Sequence, residues 1–514
     1  MKKSFFKVSA LIIILIAVAL AFSACNRDED DNDGGTTGGG GATQGSDATG
    51  GVSQDDISGR VVIGTGENPV MLTALFERFN EERNSNIEVE IMHTGEWMGN
   101  ETMARLVAAG EMPDIIFLQN PQFPVQNNWV IDLNPFVANT PNFDVPEAFT
   151  YQLTLGDSLI GIPWLVFLHG VYVNLSVLDA ENIPRPDYYW TIEDAIDIIQ
   201  RGTRPGQSIG INQVGDFIQH IPPQMNQNLG WAGFNHSTRQ YELGDDWVRA
   251  ATIAADLARG GFTMGEQLRA IGNYWYLEEG SPERAASQEA RQALLWDMFG
   301  LEVDWHAHVM GRYALWMDFS WSMGFHTNDL YVEHEWDFFP FPAYHRGQTP
   351  RPGIVVDPVG ITTVAQYPEA AWEVVRWMTF DPQGLTARLD IIENWDQAEA
   401  MERWPGWPEG QYPEIFVSTS IPPTTNAAIL DRWATMNGAS PGLRFLMSNM
   451  DIGYMDGFKV TPGYEQAFFR TISDTWFAEV LTGQRTAADI VNEVESIAND
   501  IIRDAFDSIG IQVP

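Results

Sequence analysis

Apolar positions along the chain follow three patterns. The first is a near-continuous run from Val8 to Ala21. The second is a series of short segments whose period switches between that of a strand and that of a helix. Arg60 to Gly64 is β-branched and predicts a strand, whereas Met71, Leu72, Leu75, Phe76 and Phe79 recur at helical spacing. Ile87, Val89 and Ile91 alternate with acids, the mark of a strand with one wet face. A helix carrying Met103, Leu106 and Val107 then ends at Gly110, and Asp114 to Leu118 predicts a buried strand. The third pattern is a helical stripe. Ala371, Val374, Val375 and Met378 share one face, and Ala487, Ile490, Val491, Val494, Ile497, Ile501 and Ala505 share another, both directed at a core. Alternating strands and helices predict an α/β sheet with crossover helices, in which ligands sit beyond the carboxyl ends of the strands. No repeat with the period of a solenoid or propeller is visible.

Lys2, Lys3 and Lys7 precede the first run, which ends at Phe22-Ser23-Ala24-Cys25. A charged start, an apolar stretch shorter than the roughly 20 residues of a membrane span, and small residues before a cysteine predict a secretory signal over 1–24 with a lipobox-like end. Cys25 is the only cysteine, so no disulfide framework can form, and its expected role is to carry lipid. Residues 25–56 are rich in Gly, Thr, Ser and Asp and predict a disordered tether spanning on the order of 30 Å. The acidic run from Asp28 to Asp33 is not a calcium loop, because Gly39 stands where the twelfth-position acid would be. Together these segments predict an exported protein held by lipid at the outer face of the cell membrane, on the periplasmic side where a second membrane exists.

The remaining residues, about 450, exceed one hydrophobic core and suit two large lobes. Signal cleavage removes three lysines and no acid, taking the formal charge from −40 to −43 and leaving Lys459 as the only lysine. Such a charge disfavours nucleic acid, whose binding needs Lys and Arg against phosphates. The chain has no Walker lysine motif, no His-Glu-x-x-His, no Gly-x-Ser-x-Gly and no cysteine nucleophile, and Gly64-Thr65-Gly66 lacks the third glycine of a dinucleotide loop. No cofactor is therefore expected. Asp304, His306 and His308 could share a strand face and bind a metal but would diverge on a helix, and the expectation is no metal.

Arg105 to Gly110 followed by Pro113-Asp114-Ile115-Ile116-Phe117 resembles the helix, glycine, Pro-Asp, strand signature of family 1 extracellular solute-binding proteins, the group that includes maltose-binding protein. Trp129 to Phe136 resembles the family's Asp-Leu-Thr-Pro turn, and Gly161-Ile162-Pro163 with Tyr172 and Asn174 resembles its Gly-Ile-Pro strand, with Val173 inserted in the usual Tyr-Asn pair. Trp190-Thr191-Ile192-Glu193-Asp194 occupies the place of a Thr-Trp-Asp-Glu helix start in a different order. Gly311 to Met317, Pro340 to Pro342, and Pro368-Glu369-Ala370-Ala371-Trp372 complete the series. The resemblance implies a two-lobed periplasmic-binding-protein-like fold of type II, with lobe one at 57–165 and 350–400, lobe two at 166–349 and 401–514, and a hinge that closes both on a ligand. It also implies a non-enzymatic, monomeric lipoprotein that captures a carbohydrate for an ABC importer and meets its permease subunits.

A sugar offers flat C–H faces and a hydroxyl rim, so its site needs aromatic platforms beside carboxylates and amides. Glu67 follows the first strand, Glu96 and Trp97 the second, and Gln119 and Asn120 the third, all at strand ends facing the expected cleft. By the resemblance, Trp164 and Phe167 lie at a lobe crossover, Asp357 at the return crossover, and Asp318 and Trp321 just past the Gly-Arg-Tyr-Ala strand, where Trp321 matches a sugar-stacking tryptophan by spacing. Neutral Gln119 and Asn120 replace the family's acid after the Pro-Asp strand, which argues against maltose itself. The rival readings are a peptide or a cationic osmolyte in the same fold, the latter because an acidic chain rich in Trp could cage a quaternary ammonium, and a carbohydrate-active enzyme with a pair of acids in the cleft.

Overall fold

The structure, a computed structural model, describes residues 57–66, 69–83, 86–94, 99–271, 277, 280–300, 310–323, 334–394 and 419–513. The signal, Cys25, the tether, Glu67, Glu96, Trp97 and the Asp304, His306, His308 pattern lie outside these residues. Among the described residues no helix is long and apolar enough to cross a membrane.

In chain order the framework runs β1 (Ser58–Thr65), α1 (Pro69–Arg83), β2 (Asn86–His93), α2 (Asn100–Ala109), β3 (Ile115–Phe117), β4 (Ile162–Asn174), α3 (Ile192–Arg201), β5 (Ile209–Ile211), α4 (Phe217–Met225), β6 (Tyr313–Phe319), β7 (Trp336–Phe339), β8 (Gly353–Ile361), α5 (Pro368–Thr379), α6 (Pro382–Glu393), β9 (Tyr454–Met455) and α7 (Ala487–Ser508). One mixed sheet orders the strands β2-β1-β3-β8-β4-β6-β5, with β7 also on β4 and β9 on β8. The early pattern is realised directly. Met71, Leu72, Leu75, Phe76 and Phe79 are all buried on α1, and Glu88 and Glu90 face solvent on the edge strand β2. Asp114 fixes the β3 entry: its Oδ2 accepts from Val62 N at 2.7 Å while its own N donates to Val62 O at 2.9 Å. In the turn that follows, Asp132 Oδ1 accepts from Asn134 N and Leu159 N at 3.0 and 3.1 Å.

β4 organises the molecule. All thirteen of its residues are buried, as a near-continuous apolar run predicts for a strand covered on both faces. Its first half pairs antiparallel with β8, from Ile162↔Val359 to His169↔Gly353, and its second half pairs with β6 and β7. One strand is thus shared by two α/β halves, and Gly170 marks the changeover. A Cβ there would lie 2.6 Å from Phe339 O, so only glycine lets the two strands approach. Asn174 ends the strand as the N-cap of the next helix, with Oδ1 accepting from Val177 N at 3.0 Å. That cap accounts for the Tyr-x-Asn spacing despite the inserted valine. Thr191 and Asp194 form a reciprocal capping box on α3, so the altered residue order there still starts a helix.

One expectation shifts. In α7 the buried stripe is Ala487, Ile490, Val491, Val494, Ala498, Ile502, Ala505 and Phe506, while Ile497 is exposed and Ile501 half-buried. With 3.6 residues per turn the stripe drifts by one position after Val494, and the alanine, not the isoleucine, meets the core. The segments Glu465–Ser473 and Trp476–Val480 are π-helical, a widened turn no sequence period signals.

Candidate functional site

The site is assembled where the strands of both halves end. β3 stops at the level of Asp357 and Pro358, since Leu118 N donates to Pro358 O at 2.9 Å. β4 and β8 continue past that point, and β6 ends against His169 from the other side. The carboxyl ends of β3 and β6 therefore converge on the crossover formed by residues 165–170 and 353–357.

From β6, Asp318 is half-buried and accepts from Phe319 N at 2.8 Å, Ser322 Oγ at 2.7 Å and Trp316 Nε1 at 3.2 Å. Burial raises its pKa. Trp321 is half-buried, stacked on Phe319 at 3.9 Å and 23°. Phe319 stacks in turn on His169 at 4.0 Å and 15°, and His169 on Trp231 at 5.6 Å and 25°. Four rings from three distant segments thus form a continuous pile. Trp231 is held at its end by a tight turn in which Ala232 adopts φ 57°, a left-handed conformation that costs about 1 kcal/mol for a residue with a Cβ.

Asp216, just before α4, is the second acid. Its Oδ2 accepts from Gln213 Nε2 at 2.8 Å and its Oδ1 from Gln219 Nε2 at 3.0 Å. Burial, with the negative charges of Glu266 and Asp318, pushes its carboxyl up to about 7. Asp456, after β9, is pushed up to about 6, mainly by burial. His169 is driven down to about 3 by burial and is neutral; His220, stacked on Phe341 and bonded through Nδ1 to Tyr454 OH at 2.7 Å, is lowered further by burial and by His169.

The remaining expected residues divide. Gln119 and Asn120 stand half-buried at the end of β3; Asn120 Oδ1 accepts from Gln122 N at 3.0 Å, whereas Gln119 Nε2 has no partner. Trp164, expected in the cleft, is 1% exposed with the Arg388 guanidinium 5.3 Å over its ring, so it is packed inside. Phe167 is fully buried and presents its ring to Trp321 at 5.3 Å and 77°, supporting the platform from behind. Asp357 is 3% exposed and forms an ion pair with Lys459, itself 6% exposed. It sits at the expected crossover, but a base already occupies its carboxylate. Sequence reasoning missed His169, Asp216, Trp231, Phe319, Asp456 and Lys459. Asp216 follows β5 as Gln119 follows β3, and the strand-end argument applied to lobe two would have found it.

A family model described as bacterial extracellular solute-binding protein matches residues 67–384. No curated protein matches the sequence. Solved structures match in fold across nearly their whole length. A cyclic alpha-maltosyl-1,6-maltose binding protein from Arthrobacter globiformis aligns with TM-score 0.58 and 14% identity over 87% of this chain and 100% of that one. An ABC substrate-binding protein from Listeria monocytogenes in complex with cycloalternan aligns with TM-score 0.57 and 14% identity, over 89% and 100%. The sugar-binding protein MalE from Xanthomonas citri aligns with TM-score 0.56 and 13% identity, over 87% and 98%. At these identities the likeness is one of fold, a two-lobed α/β architecture.

Proposed function

The chain belongs to the bacterial extracellular solute-binding protein family, and from that premise we propose that it captures an oligosaccharide outside the cell and delivers it to the permease of an ABC importer. The observation that carries this reading is a half-buried tryptophan platform, Trp321 on Phe319, beside the desolvated acids Asp318 and Asp216. A ring face takes the C–H face of a sugar, and carboxylates accept from its hydroxyls. The saccharides named for the solved neighbours support the same ligand class. In this reading Trp321, Asp318, Asp216, Gln119 and Asn120 contact ligand, joined by Glu67, Glu96 and Trp97 from the first two strand ends. The lobes, 57–165 with 350–400 and 166–349 with 401–514, close by a hinge at β4 and β8. The acids accept hydrogen bonds and break none of the ligand's covalent bonds, and the protein acts as a monomer.

A screen of oligosaccharides, peptides and betaines by tryptophan fluorescence and thermal shift tests the ligand class, with oligosaccharides expected to quench the fluorescence, raise the melting temperature and emerge uncleaved after hours of incubation. Binding confined to peptides or betaines, or cleavage of the sugar, would refute it.

We further propose that Cys25 carries the lipid that holds the protein on the membrane. Cys25→Ser is expected to move nearly all of the protein from the membrane to the soluble fraction. A variant that still sediments with membranes would show that another segment anchors it.

A further inference from the structure

We infer that the cleft selects a saccharide carrying a protonated amine, an inference that rests on the reading of the cleft as a sugar site. Asp216, Asp318 and Asp456 are half-buried around the ring pile, with Glu266 buried behind Asp216 and bonded to Val214 N and Gly215 N. Among the described residues no Lys or Arg lies within 4.0 Å of the first three carboxylates. The nearby bases are engaged elsewhere. Lys459 is buried against Asp357. Arg351 packs against the Tyr454 ring at 5.3 Å and donates to the carbonyls of Ile452, Pro223 and Leu229. His169 and His220 are neutral. The three acids are therefore held by neutral donors: the Gln213 and Gln219 amides, the Ser322 hydroxyl, the Trp316 indole, and the backbone of Phe319 and Phe458. For Asp216 and Asp318, negative charge kept out of water without a counterion is unfavourable, and their raised carboxyl pKa values express that; Asp456 is also raised by burial but feels the Lys459 charge.

A second feature points to a missing ligand group. His169 is 2% exposed, its Nδ1 has no partner, and its Nε2 faces Asp216 Oδ2 across 3.8 Å, too far for a hydrogen bond. The histidine and the acid thus leave polar capacity unused at the centre of the pile. Hydroxyls alone would donate to these acids but leave their charge uncompensated as the lobes close. An ammonium on the sugar supplies both N–H donors and the counter-charge, and the stacked rings favour a cation against their faces. A quaternary ammonium would use the rings but has no N–H to give the acids.

The test titrates the full mature protein with three oligomers of equal length: chitosan oligosaccharide, whose sugars carry free amines, chitin oligosaccharide, in which each amine is acetylated, and a neutral gluco-oligosaccharide. With the amines protonated and salt low, the amine form is expected to bind at least about tenfold more tightly than either of the others, with the preference shrinking as salt rises. Asp216→Asn and Asp318→Asn, each verified by melting curve, are expected to lower affinity for the amine oligomer by a larger factor than affinity for the neutral one, so that the preference shrinks. Equal or tighter binding of the acetylated or neutral oligomer would overturn the amine inference and leave the sugar site standing, as would a preference unchanged in both variants. If none of the three oligomers binds, the sugar reading and the amine inference fall together.

Discussion

Trp321→Ala is expected to weaken saccharide binding by roughly ten to a hundred fold, about 1–3 kcal/mol, while leaving the fold largely intact. One face of the indole is covered by Phe319 and its flank by the Phe167 ring, but the residue as a whole is half-buried, unlike the fully enclosed Trp164, Trp190 and Trp247. A core tryptophan truncated to alanine would cost about 3–5 kcal/mol of stability instead. Calorimetric titration and a melting curve on one sample of the variant separate the two roles. Unchanged affinity with a large fall in melting temperature would make Trp321 part of the scaffold and shift attention to Trp97 and Trp231. A milder variant, Trp321→Phe, keeps a ring face and is expected to recover much of the lost affinity.

The residues around Trp321 show what a linear reading reaches. Local periodicity carries α1 in full, because Met71 to Phe79 meet the core through the helix's own geometry. Asp114 and Asp132 come instead from the motif resemblance, since their partners Val62 and Leu159 lie 52 and 27 positions away. The motif at Gly311 to Met317 places Asp318 and Trp321 at a strand end, which is where β6 puts them. What no period encodes is the pile itself. His169, Trp231 and Phe319 are separated by 62 and 88 positions in the chain and become neighbours only because β4 pairs with β6 while the turn before residue 234 folds over its middle. Trp164 fails as a cleft residue for the same kind of reason. Its position at the crossover is right, but Arg388 arrives from α6 to cover the ring. Composition alone could not choose between those outcomes for an aromatic residue at a lobe crossover.

Asp357 and Lys459 present the sharpest case, since the only lysine beyond Lys7 is held in a buried ion pair. The pair joins β8 to the segment after β9, the two backbones being held together by Tyr454 N on Pro352 O at 3.0 Å and Asp456 N on Ile354 O at 2.7 Å. Taking both charges out of water is unfavourable by several kcal/mol each, and their mutual attraction offsets that only while both are present. Lys459→Met is therefore expected to destabilise the fold by about 3–5 kcal/mol, because it leaves the Asp357 carboxylate buried without a base. The double variant Asp357→Leu, Lys459→Met removes both charges and is expected to regain most of that loss, ending near the parent or above it. Denaturant unfolding of the parent, the two single variants and the double variant gives the coupling directly. Additive losses, with no recovery in the double variant, would mean that the two side chains matter through packing with their own neighbours and not through their charges. If the recovery is found but ligand affinity falls in the double variant, the pair also sets the geometry of the crossover. That effect would reach the site through Asp456, whose carboxyl feels both charges and stands three residues before the lysine.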